Sequence, residues 1–403
     1  MQWLNIAAWL IAIMLSIPLL VLAVECIAAL LPWTHSPLPD PTARPRCAVL
    51  IPAHNEEFVL ALTLQSVASQ LGPSDRVLVV ADNCTDGTAE IARQHGAHVV
   101  ERTDPDRRGK GYALAFGREV LNDVPPELVV VLDADCTLGP SALLRLVSEA
   151  SKWKRPVQAN YQMIAPAEAG PNRQVAAFAF LVKNFVRPLG LRRLGQSCLL
   201  TGTGTAFPWR VFRDAPLAHG HIVEDMGLTV DLALAGRSPL FVPGAEVYGE
   251  FPVDERAADS QRRRWEHGHL QVIMENIPRV LVAVFMRGRI SLLALALDIG
   301  VPPLSALMLA TGVLLAGLGI WTALGGAWGP VAMLGGALSA AVIALFAVWW
   351  RYGRGVLPAG SLARIPLYAA QKIPLYLGFV VKPQKEWVRT ARDKMLDNPQ
   401  INS

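Results

Sequence analysis

Two blocks of almost uninterrupted apolar sequence bound what this chain can become. Residues 4–31 carry one acidic residue, Glu25, and no basic one. About 20 apolar residues in a helix cross the ~30 Å hydrocarbon layer of a bilayer. The segment is longer than a signal-peptide core and has neither a basic start nor a clear small-residue cleavage site. It therefore predicts a retained transmembrane helix, near whose far end Glu25 suits either a carboxylate reaching the interface or a rarer role inside the membrane. Hydrophobicity returns at residues 304–321 and 331–350, each long enough for one more crossing. Residues 277–285 and the Pro-punctuated 365–381 predict helices that lie on the lipid bilayer. Of the 403 residues 52% are hydrophobic, which fits a soluble domain sharing its chain with membrane segments.

Arg44 and Arg46 follow the first span, Arg287 and Arg289 precede the second, and Arg351 and Arg354 follow the third, whereas the connection TALGGAWGP is uncharged. The positive-inside tendency then predicts a multi-pass protein of the inner membrane with its soluble domain in the cytoplasm. Five widely spaced cysteines with no C-x-x-C pair read as reduced thiols and agree with that side. The expected organisation is a transmembrane helix and Pro-rich linker (1–45), an α/β domain (46–270), an interfacial helix (271–290), two transmembrane helices (291–350), and an interfacial segment with a basic tail (351–403).

Within 46–270 short β-branched runs alternate with helical patterns: CAVLI, RVLVV, HVVE and LVVVL each precede an amphipathic stretch. Such alternation predicts βαβ units and a mostly parallel, Rossmann-like sheet whose ligands bind beyond the carboxyl ends of the strands. Neither G-x-G-x-x-G nor G-x-x-x-x-G-K-[ST] is present, which disfavours a dinucleotide dehydrogenase and a P-loop NTPase. A net charge of +4 without a basic run interleaved with aromatics makes nucleic acid an unexpected partner.

The strand ends carry the chemistry. LVVVLDADC runs into Asp133-Ala134-Asp135, and alternate residues of an extended chain lean to one side, so both carboxylates are expected to share a hard cation, Mg²⁺ or Mn²⁺. VLIPAHNEE places His54, Asn55 and Glu56, and VLVVADNCTDGT places Asp82 and Asn83, at the same edge, where they suit either a nucleotide base or turn and cap chemistry. Lys110 in Gly-Lys-Gly suits a phosphate contact or a solvated lysine. Thr203 and Gly204 in LLTGTGTAF leave room for an acceptor to approach, or form a flexible loop. Glu224 and Asp225 open a helical pattern, where acidic residues are favoured in any case. In QRRRW, Gln261, Arg264 and Trp265 suit a juxtamembrane anchor, or a diphosphate clamp with a flat face for a sugar.

Taken in order, PAHNEE, Asp82, Asp133-Ala134-Asp135, Glu224-Asp225 and QRRRW resemble processive-type family 2 glycosyltransferases, the group of cellulose, chitin-oligosaccharide and hyaluronan synthases and, more distantly, ceramide glucosyltransferase. The resemblance spans residues 46–270. It implies a GT-A fold, a nucleoside diphosphate sugar as donor, and inversion at the anomeric carbon. Asp82 would hold the base, Asp133 and Asp135 the ribose, diphosphate and metal, and Asp225 would be the general base. Gln261, Arg264 and Trp265 would bind the donor diphosphate and the acceptor end. One departure is Asp82-Asn83, where the synthases carry an acidic pair. Three spans are also few for one protomer to enclose a hydrated polymer, because its polar groups need shielding from lipid. That leaves a homo-oligomer, an export partner, or a lipid-linked acceptor receiving a single sugar as alternatives to a growing exopolysaccharide. An inactive membrane scaffold is the remaining alternative, disfavoured by the intact acidic positions.

Overall fold

The computed structural model describes residues 2–32, 37–41, 44–165, 170–218, 224–252 and 254–381. The expected basic tail, from residue 382 onward, lies outside the described residues. The chain divides into two compact units, one drawn from Met1–Thr34, Ala167–Leu199 and Trp265–Gln384, the other from His35–Pro166 and Leu200–Arg264. The expected 46–270 segment therefore falls across both.

The second unit is built on an eight-stranded sheet in the order β3-β2-β1-β4-β7-β6-β8-β5. Its strands are β1 (Cys47–Ala53), β2 (Arg76–Asp82), β3 (His98–Arg102), β4 (Leu128–Val131), β5 (Thr137–Leu138), β6 (Val157–Ile164), β7 (Thr205–Pro208) and β8 (Leu240–Glu250). β1 pairs in parallel with β2 and β4, and β2 with β3, as the alternating pattern predicts. The other half departs from a parallel sheet. β7 runs antiparallel to both β4 and β6, and β5 antiparallel to β8. A crossover helix packed on the sheet is what returns a strand in parallel. The residues between β6 and β7 include Ala167–Leu199, which belong to the other unit.

Helices Leu60–Ala68, Thr88–Gln94, Lys110–Leu121 and Ala142–Trp153 cover the sheet. The last shows why: Leu143, Leu146, Val147 and Ala150 recur at helical spacing and are all fully buried. Each such leucine contributes about 1.5–3 kcal/mol of burial. Gly117 lets its helix approach closely, since a Cβ there would fall 2.6 Å from Leu50 Cδ1.

The first unit is helical. Among the described residues four helices are long and apolar enough to cross a membrane: Gln2–Ala28, Ala258–Met286, Leu304–Ala323 and Gly329–Gly353. The expected count was three. The difference is the region assigned to an interfacial helix at 271–290, which instead continues a 33-residue helix, Glu255–Arg287, begun in the polar stretch that holds QRRRW. Residues 365–381 form two short helices, Ile365–Gln371 and Ile373–Val381. Gln2–Ala28 packs along Gly329–Val348, and the buried residues of the two include small ones, Ala8 and Ala12 on one and Ala337, Ala341 and Ala344 on the other. Outward, Leu10, Met14, Val313 and Ile343 are exposed, as a lipid-facing surface requires.

One buried ionic cluster ties this unit together. Arg187 Nε donates to Glu25 Oε2 at 2.6 Å, and its Nη2 donates to Asp298 Oδ1 at 2.5 Å and to the Asp298 carbonyl at 2.8 Å. All three side chains are buried. Glu25 is thus a buried structural ion-pair partner. Gly190 makes the approach feasible, because any Cβ there would collide with the Glu25 carbonyl.

Candidate active site

The carboxyl ends of β1 and β2 are clasped by two asparagines in left-handed backbone, Asn55 (φ 56°) and Asn83 (φ 52°). Asparagine tolerates that conformation because its short amide bonds locally. Asn55 Oδ1 accepts from Thr85 N–H at 2.7 Å, and Asn83 Oδ1 from Asp104 N–H at 2.8 Å. His54 donates from Nδ1 to the Asp82 carbonyl at 2.7 Å, which fixes its Nδ1–H tautomer, and Thr88 Oγ1 accepts the Glu56 N–H at 2.8 Å. Asp82 is buried, and its Oδ1 receives Arg102 Nη1 at 2.6 Å and Asn83 Nδ2 at 3.1 Å. Arg102 in turn reaches Asp104 at 3.0 Å and lies 5.8 Å from the Tyr112 ring centre.

A second group gathers at the end of β4. The strand stops at Val131, and Asp133 to Cys136 form a turn closed by Cys136 N–H to the Asp133 carbonyl at 3.1 Å. The aspartates come together through this turn and not, as expected, through alternation along an extended strand. The result is a group in which Asp133, Asp135 and Cys136 offer ligand atoms all within 4.8 Å of one another. Two half-buried carboxylates at this separation fit a hard divalent cation. Burial, together with the Asp135 and Asp133 charges, pushes the Cys136 thiol well up, so it is a neutral backing group that donates to Asp135 Oδ1 at 3.6 Å.

Lys110 opens the helix Lys110–Leu121 directly after Gly109, whose φ of 122° turns the chain toward the group. Its ammonium pairs with Asp133 Oδ1 and donates to the Gly202 carbonyl at 3.0 Å. A Cβ at Gly202 would lie 3.5 Å from Lys110 Nζ and 3.6 Å from Asp225 Oδ2, so a cation and a third carboxylate converge on one point of the 201–205 loop. Asp225 stands in the first turn of Glu224–Leu234, its Oδ1 accepting its neighbour's N–H at 2.9 Å. The side chain of Glu224 lies outside those the structure describes.

The 201–205 loop is not the open approach for an acceptor that its small residues predict. Thr203 is wholly buried, its Oγ1 accepting the Asp133 N–H at 3.0 Å. Gly204 (φ +65°) is packed so closely that a Cβ would fall 2.7 Å from Val247 Cγ2. Both support the site from behind.

Gln261 and Arg264 stand one turn apart on the helix Glu255–Arg287, the first buried and the second half-buried. Trp265 belongs to the helical unit, its ring 5.7 Å from that of Phe180. The structure thus unites Lys110, Asp133, Asp135, Thr203 and Asp225, and separately His54 and Asn83 with Asp82. Sequence reasoning missed Arg102, Cys136 and Gln158. Arg102 had the same signal as its neighbours, a β-branched strand running into polar residues, and Cys136 directly follows the aspartates. Gln158 had none.

Comparison with known proteins agrees with this geometry. The probable glycosyltransferase YdaM of Bacillus subtilis is 26% identical over 250 residues, 57% of this chain and 57% of that protein. The 4,4'-diaponeurosporenoate glycosyltransferase of Staphylococcus aureus is 45% identical over 103 residues, 25% of this chain and 27% of that protein. The matched region thus spans little more than half the length of these curated relatives, or less. Among solved structures, the mannosyltransferase PcManGT of Pyrobaculum calidifontis, in complex with GDP-Man and Mn²⁺, superposes with a TM-score of 0.54 at 18% identity. It covers 94% of this chain and 100% of that one, and so shares the fold. The family model described as glycosyltransferase like family 2 matches residues 45–268, more than half of the chain, from β1 through QRRRW, and the chain belongs to that family.

Proposed function

We propose that this glycosyltransferase moves a hexose, with inversion, from a nucleoside diphosphate sugar, a UDP-sugar in our reading, to a saccharide growing at the cytoplasmic face of the inner membrane. The observation that carries the reading is the convergence of Lys110 and Asp225 on Gly202, with Lys110 paired to an aspartate whose partner Asp135 lies within 4.8 Å. That arrangement offers positive charge for a diphosphate beside a carboxylate able to take a proton.

In this reading the Asp225 carboxylate accepts the proton of the acceptor hydroxyl as its oxygen bonds to the anomeric carbon. The bond from that carbon to the diphosphate oxygen breaks on the opposite face, and its electron pair leaves with the nucleoside diphosphate. Lys110 and Arg264 balance the charge that develops there. Asp133 and Asp135 would hold Mg²⁺ or Mn²⁺, which supplies further positive charge against the diphosphate. The buried pair Asp82–Arg102 would meet the base in this reading, with His54, Asn55, Glu56 and Asn83 shaping its surroundings. Gln261 would assist Arg264 at the diphosphate, and Trp265 would offer its face to the acceptor sugar. Four apolar helices support an acceptor that stays at the bilayer. The GDP-Man and Mn²⁺ of the Pyrobaculum structure support the donor class and the metal.

A second reading is transfer of a single sugar to a membrane lipid. It is favoured by the Staphylococcus relative, whose name specifies a discrete acceptor. Incubation of membranes with labelled donor separates the two: a ladder of products is expected for polymer growth, one glycolipid for single transfer. Asp225→Asn is expected to abolish turnover while leaving donor binding intact, and undiminished turnover would remove Asp225 from the mechanism.

A further inference from the structure

Behind the loop that carries Gly202 lies one buried side chain bonded to both flanks of that glycine. Gln158 sits on β6 opposite Thr205 of β7 and is 1% exposed. Its Oε1 accepts the Thr201 N–H and the Thr205 hydroxyl, each at 3.0 Å. Its Nε2 donates to the Thr203 carbonyl at 2.9 Å and to the Ala159 carbonyl at 3.1 Å. The amide's two donors and two principal acceptor sites are thereby all used, and three of the four bonds go to the 201–205 loop.

The opposite side of that loop is the site. Gly202 offers its carbonyl to Lys110 at 3.0 Å and its Cα to the gap before Asp225, and Thr203 Oγ1 accepts the Asp133 N–H at 3.0 Å. Gly202 and Gly204 both hold positive φ, 86° and 65°. Glycine samples both signs of φ freely, so a loop hinged on two of them has no intrinsic shape and takes its conformation from its partners. Within β6 and β7 the pairing fixes the loop's far end, Gly204, through Ala159 N–H at 2.8 Å. At its near end Leu200 is tied to Thr229 at 2.9 Å. Between these ties, the two backbone groups that meet the Gln158 side chain are the N–H of Thr201 and the carbonyl of Thr203, one on each side of Gly202.

We propose that Gln158 is a positioning residue for glycosyl transfer: it sets the 201–205 loop so that the Gly202 carbonyl aims the Lys110 ammonium at the donor diphosphate, while Thr203 holds the Asp133 backbone in place beside it. The proposal rests on the donor-site reading above and extends it to a residue that neither substrate nor metal touches. Loss of the clamp frees Gly202, Lys110 loses its bond to the Gly202 carbonyl, and diphosphate binding weakens while Asp225 keeps its own helix-borne position.

The test uses the full chain in lipid nanodiscs and two probes, UDP and GDP, each with Mn²⁺. The wild-type protein is expected to bind one of them. Gln158→Met, of equal length and without hydrogen bonds, is expected to raise that Kd about tenfold or more, in step with the donor KM, as loss of a charge-assisted bond does. Gln158→Glu, which keeps an acceptor toward Thr201 but repels the Thr203 carbonyl, gives the same direction and serves if the first variant does not fold. A double-mutant cycle with Lys110→Met separates positioning from a general loss of stability. If Gln158 acts through Lys110, the second substitution adds less than about threefold; if its effect is only structural, the two effects multiply. Unchanged Kd in both Gln158 variants, or multiplying effects, overturns the proposal. Wild-type protein that binds neither nucleotide overturns the donor reading and the proposal with it. Undiminished turnover in Asp225→Asn removes only the base assignment.

Discussion

Arg187 joins two buried acids of the helical unit, and its removal yields a magnitude that can be worked from the contacts. The guanidinium lies in a buried pocket between two carboxylates, Glu25 at 2.6 Å and Asp298 at 2.5 Å. Arg187→Met keeps most of the side-chain volume and strands two acids away from water. Breaking a buried pair by deleting one partner costs about 3–5 kcal/mol, because the surviving charge is left uncompensated. At about 2–4 °C per kcal/mol for a unit of this size, the melting temperature should fall by about 6–20 °C. Glu25→Gln removes one of two acids that share one cation and leaves a matched Arg187–Asp298 pair, so its loss should be near 1 kcal/mol, the scale of one hydrogen bond. The triple variant Arg187→Met, Glu25→Gln, Asp298→Asn contains no ion and should regain most of the lost stability. The measurement is thermal unfolding of purified protein in nanodiscs at fixed scan rate, with half-lives at one temperature if unfolding proves irreversible. An Arg187→Met protein as stable as the wild type, or a triple variant no better than the single one, would refute the account.

Further outcomes follow from the catalytic unit. Asp135→Ala is expected to abolish turnover that EDTA also abolishes and Mn²⁺ or Mg²⁺ restores; full activity in EDTA would remove the aspartate pair from metal binding. Gly204→Ala forces a side chain into positive φ and within 3 Å of Val247 and Ala159, and should cost about 2–4 kcal/mol of stability, read by urea unfolding. Burial raises the thiol of Cys47 to about 11 and that of Cys136 well above its ordinary value. A raised thiol pKa leaves little thiolate at pH 8, so iodoacetamide should label both cysteines only after unfolding, and mass spectrometry of native protein that finds either modified would contradict the packing.

What the residues disclosed and what they hid have separate physical causes. The parallel strands β1 to β4 were legible because each is a short β-branched run bounded by polar turn residues, and the side-chain pattern itself encodes burial on both faces. The antiparallel pairings of β7 and β5 were not, since strand direction is set by which distant strands meet, and no local pattern carries that. The aspartates were found for a reason that proved incomplete: the carboxylates meet because the chain turns at Ala134, whereas alternation alone assumes it stays extended. A similar gap explains the fourth apolar helix. Residues 277–285 are too short to span by themselves, and the helix becomes long enough because it continues back through residues 258–276. Thr203 and Gly204 are the sharpest case. Small residues beside a strand signal close approach, and close approach is what the structure contains, but the approaching groups are Asp133, Val247 and Ala159 of the protein itself. Composition can reveal that space is short; which partner fills it is decided by topology, as at Gln158, whose meaning arises only when β6 is laid beside β7.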